Sequence, residues 1–200
     1  MYVRRVVTGH DDEGKSLVAA DEELAPIQPK LFPGFEFHRV WGADSLPGFP
    51  DAGTEPKFAS YFPPRGGLRF VIFTLPPSGD AERLPTDQIR PALSELGELL
   101  PGLLDFNEPG DSGFHTTPTI DFEVVLHGEV TLELEDGVTI LLRRGDTVVQ
   151  NGTRHRWLNL GSEPASLAIF VYGVQHDGII SNRAAAASGH SGPLRSTNEQ

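Results

Sequence analysis

Apolar and polar residues alternate through the second half of the chain. In VTLELED, Val130, Leu132 and Leu134 fall on one parity, the period of a half-buried strand. The Val- and Leu-rich run from Phe122 to Leu134 is interrupted at His127-Gly128, and a glycine between two strand-like pieces marks a turn or tight bend. Glu135-Asp136-Gly137 then supplies an Asp-Gly hairpin signal ahead of VTILLRR. Gly145-Asp146 and Asn151-Gly152 punctuate the further strands TVVQ, HRWLNL and ASLAIFVYGV. Short strands at this spacing predict an all-β fold, a small antiparallel β-barrel or jelly roll.

The first half carries strand patterns of its own in YVRRVV, SLVAAD, FEFHRVWG and LRFVIFTL, separated by the Pro- and Gly-rich stretches SLPGFPDAG and YFPPRGG. Such strands must cover their edges and apolar faces, so they are expected either to extend the barrel sheets or to cross to a partner subunit. A homodimer is the expected assembly. One helix is predicted in TDQIRPALSELGELLPGLL, with Thr86 and Asp87 capping its start, an apolar stripe of Leu93, Leu96, Leu99 and Leu100, and Pro101-Gly102 ending it. Pro91 is expected either in its first turn or at a kink. The segment from about Ser181, SNRAAAASGHSGPLRSTNEQ, is too polar to offset its ordering entropy and is expected to be disordered; His190 within it has no assigned role. The expected organisation is a strand-rich arm over 1–85, a helix over 86–104, the barrel over 105–178 and a tail over 179–200.

Composition narrows the function classes. The 200 residues suit one domain with an extended arm. A net charge of -12 makes phosphate backbones and anionic membranes poor partners, which leaves small molecules. With no cysteine, neither a disulfide framework nor thiolate chemistry is available. No stretch approaches the ~20 apolar residues of a membrane span, and the N-terminal MYVRRVVTGHDDEGK lacks a signal-like apolar core; the expectation is a soluble cytoplasmic protein. GxSxG elbows and glycine-rich phosphate cradles are missing as well.

The chemistry-bearing residues stand at the entry to the first barrel strand, in FHTTPTIDFEVVLHGEV. If His115 faces the barrel interior, alternation carries Thr117, Asp121 and Glu123 to the same face, unless Pro118 introduces a bulge. His155, Trp157 and Asn159 likewise share a parity. The stretch from about Gly113 to Val174 resembles a cupin domain. The first cupin motif reads G, five residues, HxH, three or four residues, E, six residues, G; its counterparts are His115, Thr117, Asp121 and Gly128, with Thr in place of the second His and Asp in place of Glu. The second motif is matched by Gly145, Gly152, His155 and Asn159, with Gln150 in the Pro place.

The resemblance implies a cupin-type antiparallel β-barrel in which the two motif strands lie side by side, bringing His115 and His155 within reach of one ion. Two neutral imidazoles and a carboxylate from Asp121 or Glu123 would hold a divalent metal, Fe, Zn, Mn or Ni, with open positions for substrate. The Thr117 hydroxyl would orient a bound water. His155, Asp121 and Glu123 are the candidate catalytic groups. Gln150, Trp157 and Arg154 are candidates for the pocket mouth, Arg154 as a partner for a carboxylate or enolate, while His38 and Trp41 would close one end. Against these roles stand ordinary ones: a turn-stabilising Gln150, a surface ion pair for Arg154, a core Trp41. Proteins of this kind look like enzymes on oxygenated or aromatic acids and polyketide-like compounds. Three functions follow: a lyase, decarboxylase or dehydratase; an iron-dependent oxygenase; or a non-catalytic binding barrel.

Overall fold

Among the described residues, ten strands and one α-helix form in the order β1 (Arg4–His10), β2 (Ser16–Glu23), β3 (Glu36–Ala43), β4 (Leu68–Leu75), α1 (Thr86–Leu99), β5 (Thr119–His127), β6 (Glu129–Glu133), β7 (Thr139–Arg143), β8 (Thr147–Gln150), β9 (Arg156–Leu158) and β10 (Ala165–Gly173). The computed structural model describes residues 2–79, 84–108, 110 and 113–177, so the predicted tail, with His190, lies outside the described residues.

Two antiparallel sheets make the barrel, one of five strands ordered β3-β4-β10-β5-β8 and one of three ordered β7-β6-β9. Their inner faces meet in a core of Leu75, Val125, Val130, Leu132, Leu142, Ala165 and Leu167, the inward parity of strands drawn from both sheets. The β6–β7 hairpin turns where the Asp-Gly signal stands, with Asp136 and Gly137 both at positive φ. Gly128, at φ 69°, lets β5 bend into β6, and a Cβ there would sit 2.9 Å from the Pro164 carbonyl oxygen, so only glycine fits.

The first-half strands divide between two roles. β3 and β4 extend the barrel sheet, β4 pairing with β10 from Leu68↔Tyr172 to Leu75↔Ala165. β1 and β2 form a separate hairpin. It is fastened by the Arg5 guanidinium, which donates to the Val40 carbonyl at 3.0 Å and pairs with Glu22 and Glu55.

The helix differs from its expected details. Its N-cap is Pro85, and no side chain caps it, so neither Thr86 nor Asp87 takes that role. Ala92, Leu96 and Leu100 are the residues it buries, while Leu93 and Leu99 are exposed. The sequence is leucine-rich on more than one side, and packing selects the i, i+4 row that meets the barrel. Pro91 lies in its second turn. Leu96 and Leu100 pack with Phe37 in a second cluster that takes in Phe32, Phe35, Tyr61, Phe73, Leu103 and Leu104. This cluster covers one end of the barrel.

Candidate functional site

Between the two sheets and under the helix lies a cavity of about 230 Å³. A cavity of roughly 150 Å³ is enough to hold benzene, so a substituted single ring fits. Most of the wall is aromatic or aliphatic: Phe32, Phe35, Tyr61 and Phe62 from first-half loops, Phe37, Val71 and Phe73 from β3 and β4, Leu103 and Leu104 after the helix, and Trp157, Ile169 and Val171 from β9 and β10. His115, Asp121 and Asn107 supply its polar end.

His115 and His155 are held together by backbone. Each donates its N–H to the other's carbonyl, at 2.9 and 3.0 Å, and the ring centroids are 4.2 Å apart. The side chains repeat the symmetry. Nδ1 of His115 lies 3.2 Å from the Gly113 carbonyl oxygen, and Nδ1 of His155 lies 2.8 Å from that of Thr153. A carbonyl only accepts, so each Nδ1 carries the proton and each Nε2 keeps a free lone pair. Burial pushes both imidazoles below their ordinary range, His155 down to about 3 with His115 adding to the effect. Both are neutral bases at physiological pH.

Strand β5 carries the carboxyls, inward at every second residue. Asp121 is 6 % exposed and Glu123 4 %. Asp121 Oδ1 and Glu123 Oε2 have no hydrogen-bond partner, an arrangement rare in folded proteins and a sign of a ligand site. Burial raises Asp121 to about 6, against a lowering by the Thr119 hydrogen bond. Glu123 rises to about 8, by burial and then by the neighbouring Asp121. Burial and the same two carboxyls also push the Tyr61 hydroxyl upward.

The other expected site residues are distributed more widely. Trp157 is on the cavity wall, and His155 packs behind His115 with its ring edge against Trp157 at 6.2 Å. Glu123 is buried next to Asp121 but does not form the wall. Thr117 is buried and its hydroxyl meets that of Thr119 at 2.8 Å. Gln150, opposite Asp121 in the β5–β8 register, donates its amide to the Thr153 carbonyl at 3.4 Å and so closes its own turn. Arg154 does not face the cavity: it binds Glu108 through both carboxylate oxygens and stacks over Phe114 at 3.8 Å.

His38 and Trp41 are not at the cavity either. Phe37 lines the wall, so the next residue, His38, points to the opposite face of the sheet, and a bulge between Arg39 and Trp41 leaves Trp41 paired with outward-facing Phe70. His38 is fully buried there, and the Arg5 guanidinium lies over the Trp41 ring. What sequence reasoning missed is the aromatic wall. Its trace was the parity of Phe35 and Phe37 in FPGFEF and of Val71, Phe73 and Leu75 in LRFVIFTL.

The expected metal trio of His115, His155 and Asp121 is only partly assembled. The two imidazole rings lie 4.2 Å apart, each with Nδ1 fixed by a carbonyl and Nε2 left over, as in metal-binding histidines. Among the described residues, however, no three His, Cys, Asp or Glu side chains converge to the spacing of an ion's ligands. The residues as arranged fit two ligands of a metal site and stop short of a third.

Residues 103–172 match the family model described as Cupin domain. The chain is similar to Phomopsin biosynthesis cluster protein C' of Diaporthe leptostromiformis, 38% identical over 81 residues, which are 40% of this chain and 43% of the relative. It is also similar to Oryzines biosynthesis cluster protein J of Aspergillus oryzae, 38% identical over 68 residues, 34% of this chain and 38% of that protein. A cupin-domain-containing oxidoreductase of Hypocrea virens is 28% identical over 83 residues, 42% of this chain and 43% of its own. The matched stretch thus spans about two-fifths of the length of these relatives. Among solved structures, a putative ethanolamine utilization protein Q from Salmonella typhimurium aligns with a TM-score of 0.40 at 8% identity over 88% of this chain and 99% of that one. A predicted oxalate decarboxylase from Thermotoga maritima aligns with 0.39 at 11%, over 76% and 92%. Among the described residues no helix is long and apolar enough to cross a membrane.

Proposed function

We propose that the protein is a small-molecule enzyme of lyase type that removes water from an oxygenated, ring-sized or polyketide-like compound. The observation that carries the reading is that His115 and Asp121, one a base and the other a carboxyl, share the polar end of a cavity that is otherwise apolar. In such a site a positioned base and carboxyl can pass a proton to and from a bound substrate. His115 Nε2 takes the proton from the carbon next to a carbonyl. The carbon–oxygen bond one carbon further breaks, and the departing hydroxyl takes the Asp121 proton and leaves as water. His115 returns its proton to Asp121 as product departs, so the cycle closes with no oxidant. His155 and Trp157 hold the His115 ring in place.

The test needs no knowledge of the natural substrate. Hydroxy-ketones and hydroxy-aldehydes of single-ring size are incubated with protein in D₂O, and exchange at the carbon next to the carbonyl is followed by proton NMR. Exchange by wild type that is abolished in His115→Gln, with release of water lost in Asp121→Asn, is the expected result; equal exchange in wild type and His115→Gln would sink the reading.

A second reading is favoured by the close pairing of the His115 and His155 rings and by the oxidoreductase names of some relatives. In it, His115 and His155 hold a divalent metal and the protein is a metal-dependent oxidoreductase. Stoichiometric iron by elemental analysis, lost in His155→Ala, together with oxygen consumption on substrate, would replace the first reading with this one.

A further inference from the structure

The charges around the cavity restrict what can enter it, and this deepens the proton-transfer reading on which it rests. Asp121 stands on the wall with Oδ1 unpartnered, and Glu123 Oε2 is unpartnered beside it. Among the described residues, no lysine or arginine stands on the wall. The nearby cations are engaged elsewhere: Arg154 by Glu108, Arg156 by Glu133, Arg69 by Asp44. Arg39, the inward-parity cation of β3, lies over the Phe58 ring at 4.2 Å. The imidazole at this end, His115, presents a lone pair and not a proton, because its Nδ1–H is held by the Gly113 carbonyl. Asp121 Oδ1 and His115 Nε2, both on the wall, are therefore acceptors in want of donors, while Glu123, off the wall, keeps its proton up to about pH 8 and adds no charge.

We infer that the cavity takes an aromatic ligand whose polar head donates hydrogen bonds and carries no negative charge, an alcohol, phenol or amine, and rejects carboxylates. Above about pH 6 Asp121 rests ionised and carries its transferable proton only as a minor form, so a carboxylate would bring like charge against it with no cation on the described wall to answer it. The donor head of an alcohol or an amine satisfies the buried oxygen instead. The expectation that Arg154 receives an acidic substrate is thereby replaced by a role for Asp121 in selecting against one.

Three probes that share one ring separate the cases: benzyl alcohol, benzylamine and benzoate. Their affinities for the full chain are measured by ligand-observed NMR and calorimetry at constant pH and salt. Benzyl alcohol or benzylamine is expected to bind at least about tenfold more tightly than benzoate, a modest share of a like-charge penalty at short range. Which of the two binds better tells a hydroxyl ligand from an ammonium ligand. Asp121→Asn should narrow the gap by strengthening benzoate binding, whereas Glu123→Gln, a neutral-for-neutral change, should leave it, circular dichroism verifying the fold. Benzoate binding as tightly as the others to wild type, or an unchanged gap in Asp121→Asn, would overturn the inference while leaving the D₂O exchange result intact. Failure of all three probes to bind would overturn both.

Discussion

His115 and His155 are joined across an antiparallel bridge, and each ring is fixed by the carbonyl two residues before it, Gly113 for one and Thr153 for the other. The tautomer is therefore written into the backbone. Both rings should appear in nitrogen-correlated NMR spectra as neutral, Nδ1-protonated imidazoles at pH 7.5, with His155 untitrated down to pH 5 and His115 titrating below the ordinary value of about 6.5. Ordinary titration of either ring would contradict the geometry.

Glu123 sets the pH profile of stability on the alkaline side. Its folded pKa, about 8, lies above its unfolded value of 4.5, so between those two values the folded state holds the extra proton. Stability is then full at low pH and falls as pH rises toward 8. Asp121 behaves alike but only up to about 6. The lowered histidines work in the opposite sense below their ordinary value, where the unfolded chain takes up protons that the folded one refuses. From about pH 6.5 to 8, Glu123 is thus the one of these four groups still titrating, and urea melts should lose up to about 1.4 kcal/mol per pH unit there. Glu123→Gln should remove that slope and exceed wild type in stability at pH 8.

Asn159, the last residue of the second motif, is structural. It is 1 % exposed, donates to the Leu75 and Glu163 carbonyls at 3.1 and 2.8 Å, and accepts from the Gly161 N–H at 3.0 Å. Asn159→Ala strands three backbone groups and should cost on the order of 3 kcal/mol in chemical denaturation. Benzyl alcohol affinity of the folded fraction should not change; a loss of affinity at wild-type stability would instead give Asn159 a binding role.

Arg154 and Glu108 fasten the segment after the helix, which contributes Leu103, Leu104 and Asn107 to the cavity wall, to the second-motif turn. Both side chains are about one-third exposed, so Arg154→Ala should change stability by less than about 1 kcal/mol. Its effect should be local: faster amide hydrogen exchange over 103–108, reproduced in part for wild type by high salt. Unchanged exchange in that segment would show that the ion pair does not hold it.

The sequence made some of this legible and not the rest, for identifiable reasons. Asp136-Gly137 marked its hairpin because only a few residue pairs accept that turn, and His115 and His155 were paired because the resemblance places their strands side by side. The faces of His38 and Trp41 were not readable. A period of two says which residues share a face but not which face is inside, and the bulge after Arg39 shifts the count. The helix stripe failed for a related cause: with leucines at 93, 96, 99 and 100, several rows were equally apolar, and the choice fell to Phe37 and its neighbours from another part of the chain. The aromatic wall was hidden because its members come from three separated segments.

The pairing of β4 with β10 also governs how the chain reaches this state. Leu75 meets Ala165 and Leu68 meets Tyr172, so the centre of the five-stranded sheet is a contact between distant parts of the sequence. Such pairings pay their loop-closure entropy before any packing rewards them, and they fold slowly. During synthesis β3 and β4 must wait, one edge unpaired, until Gly173 has emerged, and in that interval the phenylalanines that will line the cavity have only the unfinished chain to shield them.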